Sequence, residues 1–311
     1  MKERLIPLRN WFFEEGDASA AAAMRIAYGA TCLFMLWDLY PVMDLLLGHG
    51  GYFGTLDPAY IYPSGIMNLL FHYDSPPALR VWFWSFVGVA ICITVGLFTR
   101  VALVTSVFFL VLCHERNPFM VFGADGILLQ LSLWLPFLKA GRVWSLDRAL
   151  RERLARPASR TIPLWPLKVI QLQMALVYFA SGLAKIGAAA WQDGSAVYYA
   201  LNSSGSDLFP GIMKQKLLLT LMTYGTLWIE LSFAFLVFWK RTRWIALASA
   251  VLLHVGIDIL MAIRFFGVVM YLGLLSFVQP SEWLRVQAWA GSWFAVRPLQ
   301  RHTGVDSSGV A

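Results

Sequence analysis

Residues 167–187, LKVIQLQMALVYFASGLAKIG, decide the fold class of this protein. The stretch is largely apolar, and its charged side chains, Lys168 and Lys185, stand near its two ends. A helix of about 20 residues rises ~30 Å, which matches the hydrocarbon core of a bilayer. The stretch is therefore predicted to form a membrane-spanning helix.

Further apolar stretches of similar length run through most of the chain. Of its 311 residues, 59% are apolar and only 14% are charged, whereas soluble domains have about 25% charged residues. Hydrocarbon cannot satisfy free backbone groups, and continuous apolar runs favour helices over the alternating strands of a barrel. The prediction is an all-α, polytopic integral membrane helical bundle with about eight transmembrane helices. They are placed at 20–46, 80–98, 100–115, 121–139, 167–187, 216–239, 242–260 and 262–279.

Positive charges gather in the short segments between these runs. Residues 139–168 contain eight Lys or Arg residues, and three more occur in the turn 240–243. Cytoplasmic loops are enriched in such cations. We therefore predict a multi-pass protein of the cell inner (plasma) membrane with both termini cytoplasmic. The loops 47–79 and 188–215, which have few cations, are predicted to lie outside.

Polarity divides the chain into three segments. Residues 1–17 are predicted to be a cytoplasmic N-terminal segment, 18–280 the transmembrane domain, and 281–311 a cytoplasmic amphipathic and polar tail. The net charge of +7 does not indicate nucleic-acid binding, because the cations lie at membrane boundaries. The three cysteines lie inside apolar runs without metal-like spacing, so no metal site is predicted.

Several ionisable side chains fall inside the apolar runs, where their desolvation is costly. Lys185 follows Leu167 by 18 residues, or ~27 Å along an outward-running helix, which places it near the outer surface. His254 and other polar residues fall at a similar depth, and this band is predicted to line one site. Glu230 and Arg25 are placed deeper or toward the inside. The other members of the band are Asp38, Arg116, Asn117, Asp125, Asp258 and Arg264.

Each member of the band also has a structural interpretation. Lys185 would snorkel to the headgroups, and His254 with Asp258 would form a satisfied pair that joins two helices. Arg116 and Arg264 would bind lipid phosphates. The convergence of several helices at one depth favours a shared site, but both interpretations stay open from the sequence.

Short motifs in a fixed order carry a resemblance to a known family. They include residues 116–118 (RNP), 144–147 (WSLD), 177–185 (VYFASGLAK) and 191–199 (WQDGSAVYY). In order and spacing they are similar to the horizontally transferred transmembrane domain family, which is related to the membrane half of vitamin K-dependent γ-glutamyl carboxylase. The resemblance covers about residues 18–280.

The resemblance implies a membrane-embedded lysine that deprotonates vitamin K hydroquinone, and Lys185 stands at the matching position. His254 matches a histidine of a later helix, and Tyr178 and Trp191 match residues that accompany the lysine. We therefore predict Lys185 and His254 as catalytic residues, with Tyr178 and Trp191 joining the depth band as cofactor-binding or substrate-binding residues. The implied cofactor is a quinol of the vitamin K or menaquinol type. A lysine base must be neutral, which an apolar site favours.

The chain departs from the carboxylase pattern at three points. Ala184 stands where the carboxylase has the first of two adjacent lysines. Residues 118–130 contain no histidine, and Asp125 is the nearest polar substitute. The carboxylase also has a large extramembranous C-terminal half, whereas few residues follow position 280 here. Carboxylation of Gla proteins is therefore not expected.

Three functions follow from these observations. The first is a membrane enzyme that uses Lys185 on a quinol-like, lipid-soluble cofactor at the outer side. The second is a non-enzymatic accessory for the maturation or export of a secreted peptide or protein partner. The third is a transporter, which would predict broken helices at the midplane. Membrane lipids are expected partners in each case. An enclosed apolar cavity at Lys185 would favour quinol chemistry, and an open groove lined by loops would favour a peptide.

Overall fold

The computed structural model describes residues 9–52, 73, 75–117, 122–156, 159–204 and 211–294. Most of these residues are helical. In chain order the elements are β1 (Glu15–Asp17), α1 (Ser19–Leu39), α2 (Met43–Leu47), α3 (Pro76–Val95), α4 (Thr99–Arg116), α5 (Gly123–Trp134), α6 (Leu146–Arg153), β2 (Thr161–Pro163), α7 (Trp165–Ile186), α8 (Ala189–Gln192), α9 (Ala196–Ser203), α10 (Lys216–Leu236), α11 (Arg243–Leu260), α12 (Arg264–Leu274) and α13 (Pro280–Phe294).

The described residues contain five helical spans that are long and apolar enough to cross a membrane. They are α1 with α2, α3, α7, α10 and α11. An all-α membrane fold is thus supported, whereas the predicted count of eight spans is not confirmed. Helices α5 and α12 have only 12 and 11 residues, and at ~18 Å or less they are shorter than a bilayer core. Residues from α12 and α13 form at most a sixth span, with a bend of 103°.

The helices form two packed groups. In the first group, α1 packs against α3, α3 against α4, and α4 against α5. In the second group, α7, α10, α11 and α12 contact one another in a ring, in the order α7–α10–α11–α12–α7. Helix α12 also contacts α1 and α5, so it joins the two groups. The ring surrounds the space in which the candidate site lies.

A short antiparallel sheet ties the N-terminal segment to the start of α7. Glu15 of β1 pairs with Pro163 of β2. Beside this pair, Asp17 accepts hydrogen bonds from Arg160 Nε at 2.8 Å and from the backbone N–H of Ser19 at 2.9 Å. Partial burial acts to raise the pKa of the Asp17 carboxyl group, but these hydrogen bonds outweigh it and hold the pKa below its ordinary value. The ionised form of Asp17 therefore stabilises this junction.

A close approach fixes the register between α7 and α10. A Cβ atom at Gly182 would come within 2.8 Å of the Leu231 side chain, so only a glycine lets the two helices meet here. One turn earlier in α7, the ring of Tyr178 stacks on Phe233 with centroids 4.2 Å apart. Earlier residues of α7 thus contact later residues of α10, and the helices run antiparallel. This register brings the last turns of α7 beside Glu230.

Candidate functional site

Lys185 and Glu230 form an ion pair between α7 and α10. The Lys185 amine lies 2.8 Å from both carboxylate oxygens of Glu230 and 2.5 Å from the hydroxyl oxygen of Ser181. The Ser181 hydroxyl in turn donates to Glu230 Oε1 at 3.2 Å. The Lys185 and Glu230 side chains are only 24% and 11% exposed. Charges so far from water are tolerated because they are paired and hydrogen-bonded.

The depth of this pair differs from the prediction. The sequence argument places Lys185 near the outer surface and Glu230 deeper, and this separation is wrong, because their side chains touch. Glu230 follows Lys216, the first residue of α10, by 14 residues, or ~21 Å of a helix that ends at Leu236. The pair therefore lies past the middle of the α10 span. At this level Lys185 lies in the last turn of α7, and α8 and α9 follow α7 in the chain.

Tyr178 and His254 form a second polar pair, between α7 and α11. The Tyr178 hydroxyl lies 2.8 Å from Nε2 of His254, and both residues are buried. Aromatic rings enclose the pair: Phe233 stacks on Tyr178, and Phe266 packs against His254 with centroids 5.2 Å apart. Among the described residues, Nδ1 of His254 has no hydrogen-bond partner although it is buried. Such an unsatisfied atom is uncommon in a protein interior.

A cavity of about 500 Å³ lies between the second helix group and helices α8 and α9, which also line it. Lys185, Glu230, Tyr178 and His254 all line it, and so does Ser181. The remaining wall is mainly apolar. Its members include Val177, Val197, Ile229, Leu253, Ile257 and Met270. The cavity thus combines two polar pairs with a hydrophobic interior.

Two glycines widen this cavity. Gly225 of α10 and Gly256 of α11 line it, and a Cβ atom at either position would meet no atom within 4 Å. A glycine inside a helix costs about 1 kcal/mol relative to alanine. Packing within the protein does not require either glycine. Both leave space that an apolar ligand could fill.

Trp191 of α8 lines the cavity near the amine. Lys185 Nζ lies 5.4 Å from the centroid of the Trp191 ring, within the range of a cation–π contact. The turn that follows is held by Asp193, whose carboxylate accepts hydrogen bonds from the hydroxyl and backbone N–H of Ser195. These two bonds hold the pKa of Asp193 below its ordinary value. The turn positions α8 and α9 over the end of α7.

The predicted band does not converge as a whole. Lys185, His254, Tyr178 and Trp191 line the cavity. By contrast, Asp38, Arg116, Asn117, Asp125 and Asp258 are not among the described residues that line it. The backbone of Arg264 begins α12, but its side chain lies outside the described part of the structure. A shared depth along separate helices therefore identified Lys185 and His254 as residues of one cavity, but not the other members of the band.

Three of these residues form hydrogen bonds with backbone groups at helix ends and do not line the cavity. Arg116 and Asn117 end α4, and their side chains donate to the carbonyl oxygens of Leu47 at 2.8 Å and Leu46 at 2.9 Å. Asp125 accepts a hydrogen bond from the backbone N–H of Phe122 at 3.0 Å, which caps the start of α5. These contacts satisfy backbone groups that a helix end leaves unpaired.

Asp258 is also explained without a ligand. Asp258 of α11 accepts hydrogen bonds from the backbone N–H of Gly267 at 3.1 Å and from the Tyr271 hydroxyl at 2.9 Å, so it ties α11 to α12. The sequence argument pairs Asp258 with His254 as an alternative, but the partner of His254 is Tyr178. Asp38 is exposed on α1.

Sequence reasoning missed Ser181 and Glu230 as members of the site. Ser181 precedes Lys185 by four residues and so lies on the same face of α7, which the helical period alone indicates. The sequence argument places Glu230 with Arg25, deeper or toward the inside, but Glu230 pairs with Lys185, whereas Arg25 donates to the backbone oxygen of Trp144 at 2.5 Å. A carboxylate inside an apolar run was itself a signal that a cation lies nearby.

Comparisons with known proteins agree with the membrane fold. The HTTM domain model matches residues 13–283. The uncharacterized protein YitO of Bacillus subtilis (strain 168) is 27% identical over 121 residues, which cover 37% of this chain and 39% of that relative. The alignment thus spans about two fifths of the relative. No solved structure matches the chain. Since the domain model covers most of the sequence, the chain belongs to the HTTM domain family, the membrane domain of vitamin K-dependent carboxylase-like proteins.

Proposed function

We propose that the protein is an integral membrane enzyme in which Lys185 accepts a proton from a quinol-like, lipid-soluble molecule. One observation carries the proposal: an apolar cavity of about 500 Å³ holds the Lys185–Glu230 pair on its wall. A molecule that partitions into lipid can fill the hydrophobic part. Its polar end then meets the few polar groups, as is usual in ligand pockets.

The residues of the cavity suit a quinol of the vitamin K or menaquinol type. Such a molecule supplies an acidic hydroxyl group on an apolar ring. Lys185 and Glu230 offer a donor and an acceptor at one place, and the buried Tyr178–His254 pair offers a second hydrogen-bonding group. Val177, Ile229 and the open faces of the two cavity glycines provide apolar contact.

Transfer of a proton from Lys185 to Glu230 leaves the amine neutral, which is the form that a base requires. The amine already donates to both Glu230 oxygens at 2.8 Å, so its proton can move to the carboxylate without a change in position. The free amine then accepts the proton of a bound hydroxyl group. After this step Lys185 carries a positive charge and stabilises the negative oxygen beside it. The two side chains together have then gained one proton.

The accessory role for a secreted peptide or protein stays a second proposal, and transport a third. A peptide has polar backbone groups that need partners. The wall of the cavity offers few of them, because most of its lining residues are apolar. The quinol proposal is favoured for this reason. Location in the plasma membrane with cytoplasmic termini is part of the same proposal.

The test compares Lys185→Arg with Lys216→Arg. Arginine keeps the charge but does not lose its proton in proteins, so it cannot act as a base. We expect Lys185→Arg to lower activity in a complementation assay by about 100-fold or more, the scale of general-base catalysis. Lys216 is exposed at the start of α10 and does not line the cavity, so Lys216→Arg should keep activity.

Two measurements accompany this comparison. The purified Lys185→Arg protein should keep its thermal stability, which separates loss of a base from loss of the fold. Mass spectrometry of the wild-type protein, purified with its native lipids, should detect a co-purified quinone. Full activity of Lys185→Arg in the complementation assay would rule out the catalytic lysine. Peptides in place of quinones would favour the accessory role.

A further inference from the structure

A second cavity lies at the opposite end of α7. Its volume is about 350 Å³, and its wall includes Trp11, Glu14, Lys168 and Arg243. Lys168 precedes Lys185 by 17 residues, which corresponds to ~25 Å along α7. The two cavities are therefore separate, and the proposed reaction does not use the second one.

This second cavity lies where several candidate spans end. Helix α7 begins at Trp165, α10 ends at Leu236 and α11 begins at Arg243. Leu164, Val237 and Arg243 all line the cavity. Ends of membrane spans mark the level of the lipid headgroups, where tryptophan and basic residues are enriched. A phospholipid headgroup is thus the ligand that is always present at this depth.

The charges of the cavity are balanced. Lys168 lies 3.1 Å from a carboxylate oxygen of Glu14, and Arg243 is paired with Glu282. The two basic side chains are only 12% and 8% exposed, whereas Glu14 is 53% exposed. The cations are therefore fixed in the wall, and Glu14 is free to reorient. The Glu14 carboxylate would repel a purely anionic ligand. A zwitterionic ligand could place its anionic group near Lys168 and its cationic group near Glu14.

Two hydrogen-bond donor groups in the wall of this cavity have N–H groups without an acceptor among the described residues. The Lys168 amine has three N–H donors, and its contacts are Glu14 and the face of Trp11, 4.8 Å from the ring centroid. Nε of Arg243 is buried and, among the described residues, has no hydrogen-bond partner. A phosphate group offers several acceptor oxygens to the Lys168 amine.

We propose that this cavity binds the headgroup of a phospholipid that carries a phosphate and a primary ammonium group, as in phosphatidylethanolamine. The phosphate accepts hydrogen bonds from Lys168. The ammonium group donates to the exposed Glu14 carboxylate. The apolar side chains of Val237 and Phe238, which line the same cavity, contact the start of the acyl chains. The proposal does not depend on the activity at Lys185.

The test measures lipid binding to the full-length protein in detergent by native mass spectrometry. The probes are dioleoyl phosphatidylethanolamine, dioleoyl phosphatidylglycerol and inorganic phosphate. We expect phosphatidylethanolamine to bind more tightly than phosphatidylglycerol, and inorganic phosphate to bind at least tenfold more weakly than either lipid. Lys168→Ala should weaken phosphatidylethanolamine binding by tenfold or more. The control Lys240→Ala removes an exposed cation of the adjacent turn and should have no effect.

Glu14→Gln provides a second variant, because a half-exposed side chain can be changed without loss of the fold. It should remove the preference for phosphatidylethanolamine over phosphatidylglycerol. Three results would overturn the proposal: tighter binding of phosphatidylglycerol to the wild-type protein, binding of inorganic phosphate as strong as that of the lipids, or equal effects of Lys168→Ala and Lys240→Ala. The first indicates an anion site, the second a soluble phosphate site and the third a non-specific surface.

Discussion

The ion pair of Lys185 and Glu230 gives the sharpest prediction about the structure. Lys185→Met leaves the Glu230 carboxylate without its cation, and Glu230→Leu leaves the Lys185 ammonium without its anion. Both side chains are less than a quarter exposed. Breaking a buried pair from one side typically costs ~3–5 kcal/mol, whereas replacing both partners by apolar residues is often close to neutral. We expect each single change to destabilise by ~3 kcal/mol and the double change by much less than the sum.

A double-mutant cycle checks this expectation. The unfolding free energy of the purified protein is measured by circular dichroism during titration with sodium dodecyl sulfate in mixed micelles. The matched control combines Lys216→Met with Glu230→Leu. Lys216 begins α10 three to four turns before Glu230 and is exposed, so the two effects should add. Additive effects for Lys185→Met and Glu230→Leu, each below ~1 kcal/mol, would refute the buried pair.

Three further predictions concern the cavity, the junction and the topology. Gly256→Leu should fill the first cavity and reduce quinone retention without loss of thermal stability, whereas Gly88→Leu, at an open position of α3, should change neither quantity. Because the folded-state pKa of Asp17 lies below its ordinary value of 3.8, the stability from its contact with Arg160 is present above that pH and is lost as pH falls through the lower value. Asp17→Asn should remove this acid-dependent part, below ~1 kcal/mol for a partly exposed pair, in thermal unfolding measured from about pH 6 down to about pH 2. A cysteine at Ser159 should resist impermeant maleimide in intact cells, since residues 139–168 are predicted to be cytoplasmic, and labelling from outside would reverse the topology.

The length and composition of the apolar runs were sufficient to predict the helices. Each of the eight predicted segments overlaps a helix of the structure, because a run of apolar residues in lipid has no other way to satisfy its backbone. The number of full spans was harder to predict. Residues 121–139 appear long enough in sequence, but α5 ends at Trp134 and a short 3₁₀ turn, Leu135–Phe137, follows it. Pro136 supplies no N–H for a longer helix.

The candidate site depended on a quantity that the sequence does not contain, namely the register between helices. Counting residues from the start of α7 gave a depth for Lys185 along that helix alone. The contact between Gly182 and Leu231 shifts α7 relative to α10, so that Lys185 meets Glu230. The depth argument included His254 and the family resemblance added Tyr178, and the structure places the two side chains 2.8 Å apart. Their roles in catalysis stay predictions.

The partners of the polar side chains separate structural residues from candidate functional ones. Arg116, Asn117 and Asp125 bond to backbone groups, which are fixed by the helices themselves. In the first cavity, Lys185 bonds chiefly to the Glu230 side chain, and Tyr178 bonds to His254. Replacing a buried ion pair by two apolar residues is often neutral or stabilising, so stability alone does not explain the pair. Two side chains that bond to each other can bond to a ligand instead, or pass a proton between them. A side chain that caps a helix would leave a backbone group unpaired if it turned to a ligand. For this reason the cavity, and not the wider band of charges, is where chemistry is expected.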